Sequence, residues 1–155
     1  MLLYRTPAFS VGWAARSATA GGFAQTAGGS NRFGAFAGRD TFICGNAVGV
    51  DTWAAEMVLK KKKAYPGIFL EIALPFAGHN ADEPACQWVQ RQADLVHTVG
   101  KSKYRKAAFS ERNQYMVDHS DFLIAVYMES HPRSGTAKTM EYAKKQGLKL
   151  IEISV

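Results

Sequence analysis

From Thr41 onward, five apolar runs of strand length alternate with four segments of helical pattern, and this alternation narrows the possible folds more than any other property of the chain. The pattern predicts strands at 41–44, 69–74, 95–99, 122–127 and 149–153. Helices are predicted at 52–63, 83–93, 107–119 and 136–146. Repeated strand–helix–strand units with right-handed crossovers give a parallel sheet with helices on both faces, and such sheets bind ligands beyond the carboxyl ends of their strands. The expected fold class is therefore α/β, a doubly wound parallel sheet. Four places follow as candidates: Gly45 to Asp51, Pro75 to His79, the approach to Arg112, and Ser130 to Thr136.

The first of these lies in FICGNAVGVDTWAAE, residues 42–56, where an apolar strand runs into a loop containing Gly45, Asn46 and Gly49 before Asp51 opens a helix. Glycines in such a junction let a backbone approach a ligand closely, and the free N–H groups of the helix start favour an anion such as phosphate. The spacing is neither the dinucleotide fingerprint nor the Gly-Lys-Ser/Thr phosphate loop, so a tight turn that only packs helix on sheet is the competing reading. A second glycine turn, Ser134-Gly135-Thr136, follows the strand FLIAVY. It converges donors on another helix start or, alternatively, serves as an ordinary cap. Arg112 and Asn113 come early in a helix whose apolar face is Phe109, Met116 and Val117; Arg112 is either a surface residue or a ligand clamp. Asp118 and Asp121 read as caps. His79, His97, His119 and His131 sit in unrelated contexts, and none is assigned catalysis.

Composition sets the outer bounds. A chain of 155 residues, 47% hydrophobic and 21% charged, can bury one core and reads as one domain. No apolar run approaches the roughly 18 residues of a membrane span, which excludes an integral helical membrane protein. Cys44 and Cys86 lack metal-ligand spacing and read as free buried thiols, which fits a reducing cytoplasm; no metal or cofactor is implied. The net charge of +6 owes half its value to Arg5, Arg16 and Arg32, in a segment without acids. Lys60 to Lys63 close a helix, where cations oppose the negative dipole end. From Thr41 to Val155 the excess is only +3, which disfavours a strong nucleic-acid footprint.

Taken together, GVDTWAAEMVL, the ALPF after the second strand, ERNQYMVDHSDFLIAVY and SGTAKTMEYAKKQGL resemble the YpsA-like family of the SLOG superfamily, which also holds the DNA-processing protein DprA and the LOG cytokinin-activating enzymes. The resemblance covers about residues 41–155 and implies a Rossmann-like fold binding a nucleotide or ADP-ribose-like ligand between the two glycine turns. Gly45, Gly49 and Asp51 match the first motif, with Asn46 inside it. Arg112 and Asn113 match the Arg-Asn pair, and Ser134, Gly135 and Thr136 match the second turn, where the family usually shows Gly-Gly-Thr. LOG-type hydrolases carry a glutamate three residues after the glycine of that turn. Lys138 stands here, and the next acid is Glu141. A binding protein, a sensor of the ligand, is therefore the first reading; a LOG-type hydrolase is the alternative, and single-stranded DNA binding of the DprA type is weaker.

The first forty residues do not match. Leu2 to Gly38 contain no Asp or Glu, are rich in Ala, Gly and Ser, and show neither period. The family begins instead with a strand, a CCFTGHRP-like turn and a charged helix. MLLYRTPA can be encoded so that a one-base shift reads CCFTGHRP, and residues 22–31 so that the same shift reads ALRRRLEAAI. The segment 1–38 is thus expected to be frameshifted and poorly packed, with 39–155 forming the domain; a transit peptide or disordered tail are the alternatives. The loss would remove the first strand and its helix, and the exposed edges invite homo-oligomers.

Overall fold

The computed structural model describes residues 2–5, 40–127 and 134–154. Six strands form one sheet: β1 (Leu2–Arg5), β2 (Asp40–Cys44), β3 (Ile68–Leu74), β4 (Leu95–Thr98), β5 (Phe122–Tyr127) and β6 (Lys149–Ser154). Four helices connect them: α1 (Val50–Ala64), α2 (Pro84–Gln92), α3 (Arg105–Asp118) and α4 (Gly135–Lys145). The strand order is β4-β3-β2-β1-β5-β6. The pairs β2–β3, β3–β4 and β5–β6 are parallel. The α/β, Rossmann-like architecture is as the alternation predicts, and each predicted strand and helix is present.

The centre of the sheet differs from that expectation. In place of a missing first strand, Leu2–Arg5 lies between β2 and β5 and runs antiparallel to both, with Leu2 opposite Cys44 on one side and Ile124 on the other. The sheet is therefore mixed. The strand is not the parallel opening strand of a doubly wound sheet, and the hydrophobic pattern gave no signal for it because four residues are too short to show a period. The other N-terminal expectations, including the helix in a shifted frame, fall on residues 6–39 and lie outside the described residues.

Helices α1 and α2 cover one face through Ala55, Val58 and Val89, packed on Phe42, Cys44, Leu70, Ile72 and Leu74. On the other face, Met116 and Val117 of α3 and Met140 and Ala143 of α4 pack on Ile43, Ala73, Leu123 and Ala125. Both faces of β3 are thus buried, which explains its nearly continuous apolar run; Leu70 and Ile72, fully enclosed, each contribute about 1.5–3 kcal/mol. Local chemistry sets the helix ends. Gly49 takes φ 95° at the start of α1, a conformation that costs glycine little, and the Thr52 hydroxyl donates to its carbonyl at 2.8 Å. Pro84 opens α2, and the Ser134 Oγ accepts from Ala137 N at 3.1 Å to cap α4. Among the described residues no helix is long and apolar enough to cross a membrane.

Candidate ligand site at the carboxyl edge

Because β1 is antiparallel to both β2 and β5, those two strands run the same way. Their carboxyl ends, and the glycine turns that follow them, share one edge of the sheet. Helix α3 bridges the turns with two consecutive side chains. Arg112 is buried, and its Nη1 donates to the carbonyl of Gly45. Asn113 Nδ2 donates to Thr139 Oγ1 at 3.0 Å, and that hydroxyl donates to the carbonyl of Gly135 at 2.9 Å.

Around the first turn the packing is close. A Cβ built at Gly45 would fall 2.6 Å from the Arg112 Cζ and 3.1 Å from Asp51 Oδ2, so glycine is what lets the guanidinium lie flat against the chain. Asp51, buried in the first turn of α1, accepts from Ala47 N at 3.2 Å and folds the loop back on its helix. Burial depresses the Arg112 pKa while the neighbouring Asp51 and Cys44 oppose that shift; an arginine stays charged regardless. The Cys44 thiol is pushed up to about 12, chiefly by burial and then by Asp51, and donates to the Asp51 carbonyl at 3.4 Å. It is therefore a packed thiol rather than a nucleophile.

Asn46 takes a left-handed conformation, φ 56°, and is completely buried. Its carbonyl accepts from Asn80 Nδ2 at 2.8 Å, and the same amide lies 3.2 Å from His79 Nε2. His79 is buried edge-on to Phe76 and Phe109, with ring centroids 5.3 and 5.2 Å away. An amide donating to Nε2 requires a neutral imidazole there. In agreement, burial, followed by Arg112 and Arg105, lowers the His79 pKa from 6.5. A histidine with a depressed folded value contributes stability above its unfolded value and loses it as pH falls. The wild type should accordingly lose melting temperature more steeply below about pH 6.5 than a His79→Gln variant, measured from pH 7.5 to 5.0. Parallel curves would place the histidine outside the folded-state proton balance.

Of the candidates read from sequence, Gly45, Asn46, Asp51 and Arg112 meet in one group, and Asn113, Ser134 and Gly135 in a second, around the start of α4. Gly49 caps α1, and Thr136 lies half-buried in the first turn of α4. The histidine and Asn80 were not read as site residues, although the turn at Pro75 to His79 was marked by its place after β3. Thr139 had no signal at all; only packing of α4 on α3 shows that it joins the two turns. A cleft of about 640 Å³ lies between α3 and α4, with Asn113, Gly135 and Thr139 in its wall.

One feature unites these residues. Among the described residues, five buried side-chain polar atoms have no hydrogen-bond partner: Thr41 Oγ1, both amide atoms of Asn46, Arg112 Nε and Asn113 Oδ1. Four of the five belong to the residues that line the bridge between the turns. Such atoms cost about 1–3 kcal/mol each when left unmade, which is why folded proteins hold few of them.

A Rossmann-like α/β domain with paired glycine turns on one sheet edge is the class these features define. The chain belongs to the YspA SLOG family, which its residues 35–155 match. It is 32% identical over 107 residues to a UPF0398 protein of Staphylococcus epidermidis, covering 63% of this chain and 57% of that protein. UPF0398 proteins of Bacillus cereus and Bacillus thuringiensis are 33% and 35% identical over 117 residues, covering 71% of this chain and 62% of each relative. The matched region thus spans about three-fifths of the length of these curated relatives.

Proposed function

We propose that the protein binds a nucleotide or nucleotide-derived ligand of the ADP-ribose kind at the edge between the two glycine turns, as a sensor rather than an enzyme. The observation that carries this reading is the set of unpartnered buried atoms on Asn46, Arg112 and Asn113, of which the sequence resemblance marked Arg112 and Asn113. An amide offering both donor and acceptor, a guanidinium N–H and a second amide oxygen match the mixed polar edge of a base or ribose.

Hydrolysis has less support. Lys138 occupies the position where LOG enzymes carry glutamate, and the Glu141 carboxylate is exposed and bonded to Lys145 Nζ at 2.8 Å. That bond holds Glu141 below the usual carboxylate range and ties its carboxylate to a lysine one turn along the same helix.

The test is a thermal-shift screen of nucleotides and ADP-ribose, followed by calorimetric titration of the wild type and Gly135→Val, with a form carrying the shifted-frame start beside them. Nothing lies within 4 Å of a Cβ built at Gly135, so valine should change stability by no more than about 0.5 kcal/mol. Standing in front of the α4 N-terminus, it should weaken nucleotide binding roughly tenfold or more. Equal affinity in both proteins would remove the second turn from the site. Turnover lost on replacing Asp51 or Glu141 would favour the enzyme reading instead.

A further inference from the structure

We propose that the outer face of α1 is a self-association surface on which a second copy of this chain docks, its own α1 running antiparallel to the first. Two stripes on the helix point to it. Asp51, Thr52, Ala55 and Val58 are buried, and Ala55 and Val58 belong to the core against the sheet. On the opposite side Trp53, Met57, Lys60 and Ala64 are all exposed, Trp53 by 66% and Met57 by 61%. Their spacing of four, three and four residues is that of a coiled-coil seam, so they form one line along the helix. A tryptophan and a methionine left in water one turn apart make an apolar surface that nothing in the fold uses.

A second copy fits this surface because the stripe is complementary to itself. Antiparallel helices pack in layers that set Trp53 across from Ala64 of the second copy, and Met57 across from its Lys60. Large then meets small at each end, and the methionine lies along a lysine stem at the centre. Beside the seam, Glu56 of each copy comes next to Lys63 of the other. The charges of α1 are divided for such a pairing, with Asp51 and Glu56 in its first half and Lys60 to Lys63 in its second. A parallel pair would set lysines against lysines. Lys62 lies off the seam and is held by Asp94 of its own chain.

The contact is modest in size. Fifteen residues make a helix about 22 Å long, and two-thirds of a tryptophan is roughly 100–165 Å² per copy. With the methionine and the lysine stems added, the pair falls at the low end of specific interfaces, which makes the dimer reversible rather than obligate. The first glycine turns stand at the N-termini of α1, so the two copies carry them to opposite ends of the contact. The inference does not depend on which ligand those turns take.

Sedimentation equilibrium of the full chain, without ligand and from about 1 μM to about 1 mM, is the test. A monomer–dimer equilibrium with Kd of about 1–100 μM is expected. Trp53→Ser should weaken it roughly tenfold or more, whereas Tyr104→Ser, which removes an aromatic ring 68% exposed at the start of α3, should stay within about twofold. Glu56→Lys sets a cation against Lys63 in both symmetric pairs and should weaken the dimer by about five- to tenfold; adding Lys63→Glu should restore it to within about twofold. Trp53, Lys63 and Tyr104 are exposed and Glu56 is half-buried, and circular dichroism confirms that each variant is folded. A wild type that stays monomeric to 1 mM would mean that this face fits some other occupant, and would overturn the proposal. Assembly beyond two copies, equal losses in Trp53→Ser and Tyr104→Ser, or a double charge reversal no tighter than Glu56→Lys would overturn it as well.

Discussion

Replacing Arg112 by methionine is expected to lower the free energy of unfolding by about 3–5 kcal/mol, the cost of breaking a buried charge pair from one side. Methionine keeps much of the stem's volume, so the loss falls on charge and hydrogen bonding rather than on packing. The Gly45 carbonyl loses its donor, and the buried Asp51 loses the cation beside it. In a domain of this size the melting temperature should fall by roughly 10 °C, read by circular dichroism with a urea midpoint as cross-check. A loss under about 1 kcal/mol would show that the turn holds itself without the guanidinium. The consequence for binding work is direct: an Arg112→Ala variant that binds a nucleotide poorly reports instability as well as lost contact, so Gly135→Val is the cleaner probe of the edge.

The architecture was legible because periodicity reports which faces are buried. Strand β5 matches its predicted bounds, and α1 and α3 each begin two residues earlier than predicted, where turn glycine and loop chemistry, not hydrophobicity, set the start. Capping was also legible: Ser134 was read as an alternative between ligand and cap, and its Oγ does accept from Ala137 N. The two buried free thiols are found as expected. What the pattern could not show is pairing across the sheet. Leu2–Arg5 occupies the central position by long-range strand pairing alone.

The histidines make the same point more sharply. On the strength of chain spacing they looked unrelated, yet β3–β4 pairing sets His97 on Glu71, and the docking of α3 brings Tyr115, with His119 stacked on it, to the same carboxylate. His97 Nε2 lies 2.9 Å from Glu71 Oε1, the Tyr115 hydroxyl donates to the same oxygen at 2.8 Å, and the Tyr115 ring stacks on His119 with centroids 4.1 Å apart. Glu71 is nearly completely buried, and these partners are what make its burial tolerable. No sequence spacing relates residues 71, 97 and 115; only the register of Ala73 with His97 and the angle of α3 do. Among the described residues, no group of three or more His, Cys, Asp or Glu side chains is placed to hold a metal ion. The Glu71 group ties the helix that carries Arg112 and Asn113 to the edge of the sheet, fixing the axis from which both reach the turns.

Gly45 tests how far the first glycine turn is shaped by the protein's own side chain. In sequence its glycine suggested close approach by a ligand; in the structure the close approach is made by Arg112. The substitution Gly45→Ala places a methyl group against the guanidinium and should cost about 2–3 kcal/mol, through overpacking and the lost bond from Nη1 to the Gly45 carbonyl. The backbone at this residue is not left-handed, so sterics alone carry the effect. In an Arg112→Ala background the obstacle is gone, and the same substitution should cost less than about 0.5 kcal/mol, giving a coupling of roughly 2 kcal/mol in a double-mutant cycle measured by urea unfolding. Additive losses would mean that Asp51, 3.1 Å from the same Cβ position, sets the limit instead. A coupling of the expected size would assign Gly45 to the seating of Arg112 and leave Gly135, open in front, as the glycine through which a ligand reaches the backbone.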